Sequence, residues 1–436
     1  MRISVAYGGD KVEVAIAEGK VAGIVEPNAV SVGDEAQTIH RGIEQPVNSR
    51  SFDEFVDDAD DLLFIVNDHT RPTPTARILS AIYPKVADKK IGFLIATGIH
   101  RAPGVGELSF IFGEHLDSLK DVIHVHDARK HEDMTYLGVS STGTEMYVNR
   151  LSLEAHKLVT IGSVEPHYFA GYTGGRKSFL PGIASYKTIE QNHRHALNPC
   201  AQALVLEGNP VHEDMVDALG TIAEKEVFSI QTVLDGQKRV YYCTSGHIND
   251  SFLAAIDKAH EVYCVDIKEK ADIVVAIASY PSDVDLYQSQ KALDNGKLAL
   301  KEGGILVLVS ECRSGIGEET YFDLLASSET PQEALRRIGE GYRLGYHKAA
   351  KMAEIATWAE VWGVTGLDDL DSKRAFMRPF HSVQEALDRA IEKKGEGARV
   401  LFLMDASLTV PNLLRASCSQ SRCQPTGRTI DKQAER

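Results

Sequence analysis

Short apolar runs, most of them continuous rather than alternating, set the limits on what this chain can fold into. Examples are Leu62–Val66, Ile91–Ala96, Val122–Val125, Leu158–Ile161, Ile273–Ala278, Ile305–Val309 and Val400–Leu403. A strand with one wet face alternates apolar and polar residues. Continuous runs of this length therefore describe strands buried on both faces, as in parallel sheets. Helical patterns intervene at Pro74–Ile82, Ser251–Ala259, Gln288–Lys301 and Val383–Lys393. The expectation is an α/β fold with wound, mostly parallel sheets and helices on both faces. The first 25 or so residues differ. Ile3–Tyr7, Val12–Ala17 and Val21–Val25 alternate around glycine-containing turns and predict a small antiparallel meander.

The 436 residues call for two domains. A charged stretch near Asp266–Asp272, between two strand patterns, predicts the boundary. It gives an N-terminal α/β domain over 1–268 and a C-terminal α/β domain over 269–414, with the active site in the cleft between them. Residues 415–436 turn to Ser, Gln, Arg, Thr and Lys and read as a disordered tail. The net charge of −15 argues against nucleic acid and anionic membrane as partners. No apolar run approaches the ~20 residues that span a bilayer. The first residues lack the basic start and apolar block of a signal peptide, so a cytoplasmic protein is expected. The six cysteines are scattered without a Cys-x-x-Cys pair, which disfavours a cysteine zinc centre.

Three polar clusters directly follow predicted strands: Asn67-Asp-His-Thr-Arg-Pro72, Thr97-Gly-Ile-His-Arg101 and Gly162-Ser-Val-Glu-Pro-His167. In wound α/β sheets ligands bind beyond the carboxyl ends of the strands, so the three can converge on one site. Singly, each has a plainer reading: Asp68 as a helix cap, His100 as a surface loop residue.

Gly171-Tyr-Thr-Gly-Gly-Arg-Lys-Ser178 nearly matches the phosphate loop G-x-x-x-x-G-K-[ST]. Arg176 replaces the second glycine, and Pro181-Gly182 break the helix that the triphosphatase loop needs beneath the phosphates. A Gly-rich turn with adjacent Arg and Lys can still hold one phosphate or anion. Gly315-Ile-Gly-Glu-Glu-Thr320 resembles the dinucleotide fingerprint but ends in Thr320, and reads as a tight strand-to-helix turn. The helix Ala184–Ala196 carries His193 and His195, two apart and so on different sides. They are not a chelating pair, and His193 has an ordinary surface position as its alternative reading.

Asp68-His-Thr-Arg-Pro72, Ala96-Thr-Gly-Ile-His-Arg101 and His167-Tyr-Phe-Ala-Gly-Tyr-Thr-Gly-Gly-Arg-Lys-Ser178 occur in order. Leu180-Pro-Gly-Ile-Ala-Ser-Tyr-Lys-Thr-Ile189, Asn192-His193 and Leu286-Tyr-Gln-Ser-Gln-Lys291 follow. Together they resemble the nickel-dependent lactate racemase family over nearly the whole chain except the tail. The resemblance implies a 2-hydroxyacid racemase or epimerase that uses a nickel pincer nucleotide (pyridinium-3-thioamide-5-thiocarboxylic acid mononucleotide). It implies a thioamide tether to Lys177 and nickel ligation by His193. His100 and His167 match the acid/base histidines. Arg71 matches a carboxylate binder, and Gln288 and Lys291 match residues that face the substrate. Asp68, Thr70 and Tyr287 fall where the family packs against the cofactor. The phosphate is expected against the turn holding Gly174, Gly175, Arg176 and Ser178. Partners are then a small 2-hydroxy acid and the biosynthetic proteins that supply the cofactor, with an oligomer left open.

The chemistry is consistent with that set. The C2–H proton of a 2-hydroxy acid is far too weakly acidic for a histidine with a pKa near ~6.5. Removal of that hydrogen as hydride, while a base takes the hydroxyl proton, gives a planar 2-keto acid. Two acid/base groups then serve the two hands of the substrate. The family's lactate-specific members carry a tryptophan in the second domain. The corresponding stretch here is Gly345-Tyr-His-Lys-Ala-Ala350, with His347 or Tyr346 in its place. Lactate is the first expectation, with malate, a sugar acid or an aromatic hydroxy acid as alternatives. The rival classes are a non-catalytic binder of a mononucleotide or organic anion, and a nicotinamide-dependent dehydrogenase, which the missing fingerprint disfavours.

Overall fold

The computed structural model describes residues 1–414, so the tail expected over 415–436 lies outside the described residues. Two six-stranded sheets organise the chain. The first runs, edge to edge, Val240–Gly246, Val227–Leu234, Lys157–Ser163, Asp61–Asn67, Lys90–Ala96 and Ile123–Val125. Its strands pair in parallel except Val240–Gly246, which is antiparallel to its neighbour. The second runs Met377–Phe380, Glu360–Val364, Leu300–Val309, Ala271–Ile277, Val400–Leu403 and Val21–Val25, all parallel. The fold is α/β in two domains.

Both faces of each sheet are covered, which explains the continuous apolar runs. In the first sheet Phe64, Val66, Phe93 and Ile95 enter one core, while Leu63, Ile65 and Leu94 enter the opposite one. In the second, Val274 and Leu306 face one core and Ile273, Val275 and Val307 the other. Each such side chain, fully buried, contributes about 1.5–3 kcal/mol.

The expected meander does not form. Arg2–Tyr7 and Asp10–Ala15 make a hairpin, but Val21–Val25 leaves it and pairs in parallel with Val400–Leu403. The hairpin buries Ile3, Val5, Val14 and Ile16 in the core beneath the second sheet. The first 25 residues therefore pack with the second sheet rather than with the domain expected over 1–268. The physical reason is the fully buried strand Val400–Leu403, whose outer edge needs a hydrogen-bonding partner. The chain thus crosses between the domains twice, once after Val25 and again near Cys264. The two crossings lie side by side. Asn28 N–H donates to Val262 O at 2.7 Å, and Asn28 Nδ2 to Glu261 O and Cys264 O at 2.9 and 2.8 Å.

Candidate active site

The carboxyl ends of three adjacent strands of the first sheet open into the interdomain cleft. Asp61–Asn67 delivers Asp68, Thr70 and Arg71; Lys90–Ala96 delivers His100; Lys157–Ser163 leads to His167. The second wall comes from the helices Leu286–Gly296 and Tyr346–Trp358 of the other domain. Between them lies a cavity of about 110 Å³. The domains touch around it. Lys238 Nζ donates to Tyr280 O at 2.7 Å, and Leu344 N–H to Glu190 Oε1 at 2.8 Å.

The Gly-rich segment is not a phosphate loop. After Gly174, at φ +85°, it makes only a single turn of 3₁₀ helix, Gly175–Ser178, before Pro181 and Gly182. Gly98 N–H then donates to Gly182 O at 2.9 Å, stitching this segment to the His100 loop. Both glycines are there for packing. A Cβ on Gly174 would come within 2.6 Å of Gln231 and Val164, and one on Gly175 within 2.8 Å of Phe252. Gly174, Lys177 and Ser178 face the cavity.

Gly175 and Arg176, expected against the cofactor, do not line the cavity. Arg176 is fully buried and points inward. Its guanidinium donates to the carbonyls of Ala170, Tyr172 and Gly174 at 2.8, 3.0 and 3.2 Å and lies 4.3 Å over the Phe252 ring. Burial lowers its pKa to about 9. It holds the loop together rather than contacting a ligand.

His100 is held by a chain of hydrogen bonds that crosses the cleft. Lys291 Nζ donates to Gln288 Oε1 at 2.9 Å, Gln288 Nε2 to His100 Nε2 at 3.3 Å, and His100 Nδ1 to Asp68 Oδ2 at 2.7 Å. The other Asp68 oxygen accepts from Thr70 N and Oγ1 at 3.1 and 2.7 Å. Burial raises the Asp68 carboxyl, but the charge and hydrogen bond of His100 and the bond from Thr70 outweigh it and hold the group at about 2. Asp68, expected beside the cofactor, has both oxygens engaged within the protein and orients His100.

Arg71 pairs with buried Glu165 at 2.9 Å, and Glu165 in turn accepts from Ser163 Oγ at 3.1 Å. Among the described residues Lys291 has no carboxylate within ion-pair distance. Burial first, then the Arg71 charge, bring its ammonium down to about 7.

His167, Lys177 and His193 meet around Phe169. The Phe169 ring stands edge-on to His167, His193 and His347 at 4.6, 5.0 and 5.3 Å, with Lys177 Nζ 5.7 Å from its centroid. His167 Nδ1 accepts from Ala170 N–H at 3.3 Å. Burial, reinforced by the charges of Lys177, Arg71 and Lys291, keeps His167 well below the usual histidine range. Burial and the charges of Arg71 and Arg176 likewise depress Lys177 well below the ordinary lysine value.

His193 lies on the inner face of the helix Tyr186–Arg194, capped by Ser185, and is 8 % exposed. Asn192 Oδ1 accepts from its Nδ1 at 3.1 Å, and Asn192 is itself anchored to Asp214 at 2.7 Å. This fixes the proton on Nδ1 and leaves Nε2 as a bare donor. His195, two residues on, does not reach the cavity.

The helix Leu286–Gly296 is capped by Asp285, which accepts from Gln288 N–H at 2.7 Å. The turn around Gly315 also holds it, since Gly315 O and Ile316 O accept from Leu286 and Tyr287 at 3.0 Å each. The near-miss fingerprint is thus a turn that positions Tyr287, Gln288 and Lys291.

Sequence reasoning named His100, His167, Lys177, His193, Arg71, Thr70, Asp68, Tyr287, Gln288, Lys291, Gly174 and Ser178, and the structure brings all of them to one cavity. It did not single out Phe169, Tyr168, Glu165 or Lys348. All four stand inside the motifs named above, but what they do depends on neighbours far along the chain.

Two family models match the chain: the lactate racemase N-terminal domain over residues 7–203 and the lactate racemase C-terminal domain over 266–410. Lactate racemase of Thermoanaerobacterium thermosaccharolyticum is 32 % identical over 401 residues, covering 88 % of this chain and 93 % of that protein. Lactate racemase of Lactiplantibacillus plantarum is 32 % identical over 390 residues, covering 85 % and 89 %. The chain belongs to the lactate racemase family. It is an enzyme of the isomerase class. The structure of the lactate racemase apoprotein from T. thermosaccharolyticum superposes with a TM-score of 0.86 at 30 % identity, covering 94 % of this chain and all of that one. A protein from Thermotoga maritima shares the fold, with a TM-score of 0.69 at 15 % identity, covering 88 % and 100 %. In this family member no described helix is long and apolar enough to cross a membrane.

Proposed function

We propose that this enzyme racemises a 2-hydroxy acid, with lactate as the first substrate, using a nickel pincer nucleotide tethered to Lys177. One observation carries the reading: two imidazoles, a depressed lysine amine and a carboxylate-binding pair, Arg71 with Lys291, share one cavity that spans both domains.

The residues fit the cofactor. Lys177 is a buried amine whose neutral form is favoured, as formation of an amide-type bond requires. His193 offers one bare imidazole nitrogen. Among the described residues no three His, Cys, Asp or Glu side chains converge as a metal site. A nickel ion held by His193 would take its remaining donors from the organic group, and soft sulfur donors with one imidazole suit nickel. Gly174, Ser178 and Tyr287 line the same cavity as Lys177, which supports a nucleotide contact there. Bound there, the cofactor supplies a reversible acceptor for the C2 hydride.

The protein does the rest. Arg71 and Lys291 hold the substrate carboxylate. His100 and His167 exchange the hydroxyl proton, one for each hand of the substrate. Asp68 and Gln288 aim the His100 ring. Proteins that build the cofactor are the implied partners.

A second reading, turnover of malate, a sugar acid or an aromatic hydroxy acid, is favoured by His347 and Lys348 in the cavity wall. A non-catalytic anion binder is disfavoured, because it needs neither a depressed lysine nor two imidazoles.

The test is chiral chromatography of cofactor-loaded enzyme with single enantiomers of a 2-hydroxyacid panel in deuterated water. Racemisation with the C2 hydrogen retained is expected. Full C2 deuteration after one turnover overturns the hydride route, and no racemisation of any acid overturns the function.

A further inference from the structure

The proposed reaction leaves a proton out of place. One imidazole takes the hydroxyl proton and the other returns one. Each turnover therefore ends with one ring a proton richer and the other a proton poorer, and both must reset before the next turnover in the same direction. The His100 side chain is 30 % exposed and can trade protons with solvent directly. His167 is only 6 % exposed.

A second, smaller cavity of about 20 Å³ reaches His167 along the seam between the domains. Arg71, Glu165 and His167 line it from the first sheet's domain, and Ser279, Asp405 and Ser407 from the other. Exposed Lys238 and Tyr280 also line it, so it runs from a buried imidazole to the surface. It has room for one water, which needs on the order of 10–15 Å³ and several polar partners. The partners are present. Ser407 is buried, and among the described residues its Oγ has no hydrogen-bond partner. Asp405, just beyond the strand Val400–Leu403, holds a left-handed backbone at φ +45°. Such strain in a non-glycine residue gathers at working sites. Among the described residues no hydrogen bond or ion pair engages its carboxylate. The charged and titratable groups facing it are Glu165, Lys238 and Tyr263. Burial lifts the Asp405 carboxyl to about 6, with the Lys238 charge opposing and that of Glu165 adding to the rise. A carboxyl so placed both takes and releases a proton near neutral pH.

We infer that Asp405, through one water in this cavity, passes protons between solvent and His167 and so resets that imidazole between turnovers. This rests on the racemase reading above. Asp405 acts through His167 and does not touch the substrate. Only protons move. The His167 N–H gives its proton to the water, the water gives one to the Asp405 carboxylate, and Asp405 releases it at the Lys238 end. Turnover of the opposite enantiomer runs the same path backwards, and no electrons are transferred.

Asp405→Asn keeps the size of the side chain, and asparagine tolerates the left-handed backbone. The assay uses cofactor-loaded enzyme with single enantiomers of lactate, or of the first acid in the panel that wild type racemises. Steady-state kcat of Asp405→Asn should fall by roughly tenfold or more, because the proton hand-over becomes limiting. A single turnover with enzyme in excess uses protons already in place and should keep its wild-type rate. Added formate, a small carboxylate that can carry the proton instead, should restore the variant's kcat without raising that of wild type. An unchanged kcat overturns the inference. So does a single-turnover rate that falls by the same factor, or a loss that formate does not restore. Each of these leaves the racemase reading standing. A wild type that racemises none of the acids sinks that reading and this inference with it.

Discussion

His100 Nδ1 lies 2.7 Å from Asp68 Oδ2, a charge-assisted contact made by a carboxylate whose other oxygen is already held by Thr70. The pair belongs to one domain, and Gln288 closes on the far side of the imidazole from the other. The imidazole is thus held from both domains, and Asp68 fixes the proton on its Nδ1.

Asp68→Asn should keep the ring in place but remove the charge that fixes its tautomer. Racemisation kcat is expected to fall by about 10²-fold or more, with the Lys177 adduct unchanged by intact-mass analysis. A variant with wild-type kcat would show that His100 needs no orienting carboxylate.

Lys291 titrates near 7 in the free protein, because burial and Arg71 disfavour its charge. Its group is charged below that value and neutral above, so carboxylate capture weakens as pH rises through about 7. The kcat/KM profile should therefore fall on the alkaline side. Lys291→Arg should flatten that limb, since guanidinium stays charged. An identical limb in the arginine variant would assign it to another group.

His126 is a stability reporter away from the chemistry. It is 2 % exposed, and its Nε2 faces Ala184 O at 3.0 Å. Burial lowers it to about 4. The unfolded chain takes up that proton near 6.5 and the folded chain does not, so its contribution is present above 6.5 and lost as pH falls toward 4. The slope from one such proton is about 1.4 kcal/mol per pH unit. Urea unfolding between pH 7.5 and 5 should show a shallower slope in His126→Asn, and an unchanged slope would refute the assignment.

Arg176→Met should unfold the loop, not weaken an anion contact. Three carbonyls lose their donors, so a stability loss of about 3 kcal/mol or more is expected by urea titration of cofactor-free protein. A stable variant that only failed to retain the nucleotide would return Arg176 to the ligand.

The strands were legible because both faces of each sheet are covered, which writes continuous apolar runs into Leu62–Val66 and Ile305–Val309. The place of Val21–Val25 was not, because its partner Val400–Leu403 lies at the other end of the chain and no local pattern names it. In the site, residues with a chemical signature stood out within their motifs. Arg176 misled because a basic side chain in a glycine loop looks the same in sequence whether it faces a ligand or the loop's own carbonyls. Phe169 and Asn192 act by packing on or bonding to a histidine, a function visible only once the fold has brought them together.

The paired crossings at Asn28 make the link between the lobes a two-ply strap rather than a single thread. The second crossing leaves the end of the helix Ile248–Tyr263, and sliding the first along it would break the bonds from Asn28 to Glu261, Val262 and Cys264. The contact of Gln288 with His100 is thus made between two lobes whose chains are tied to each other where they cross.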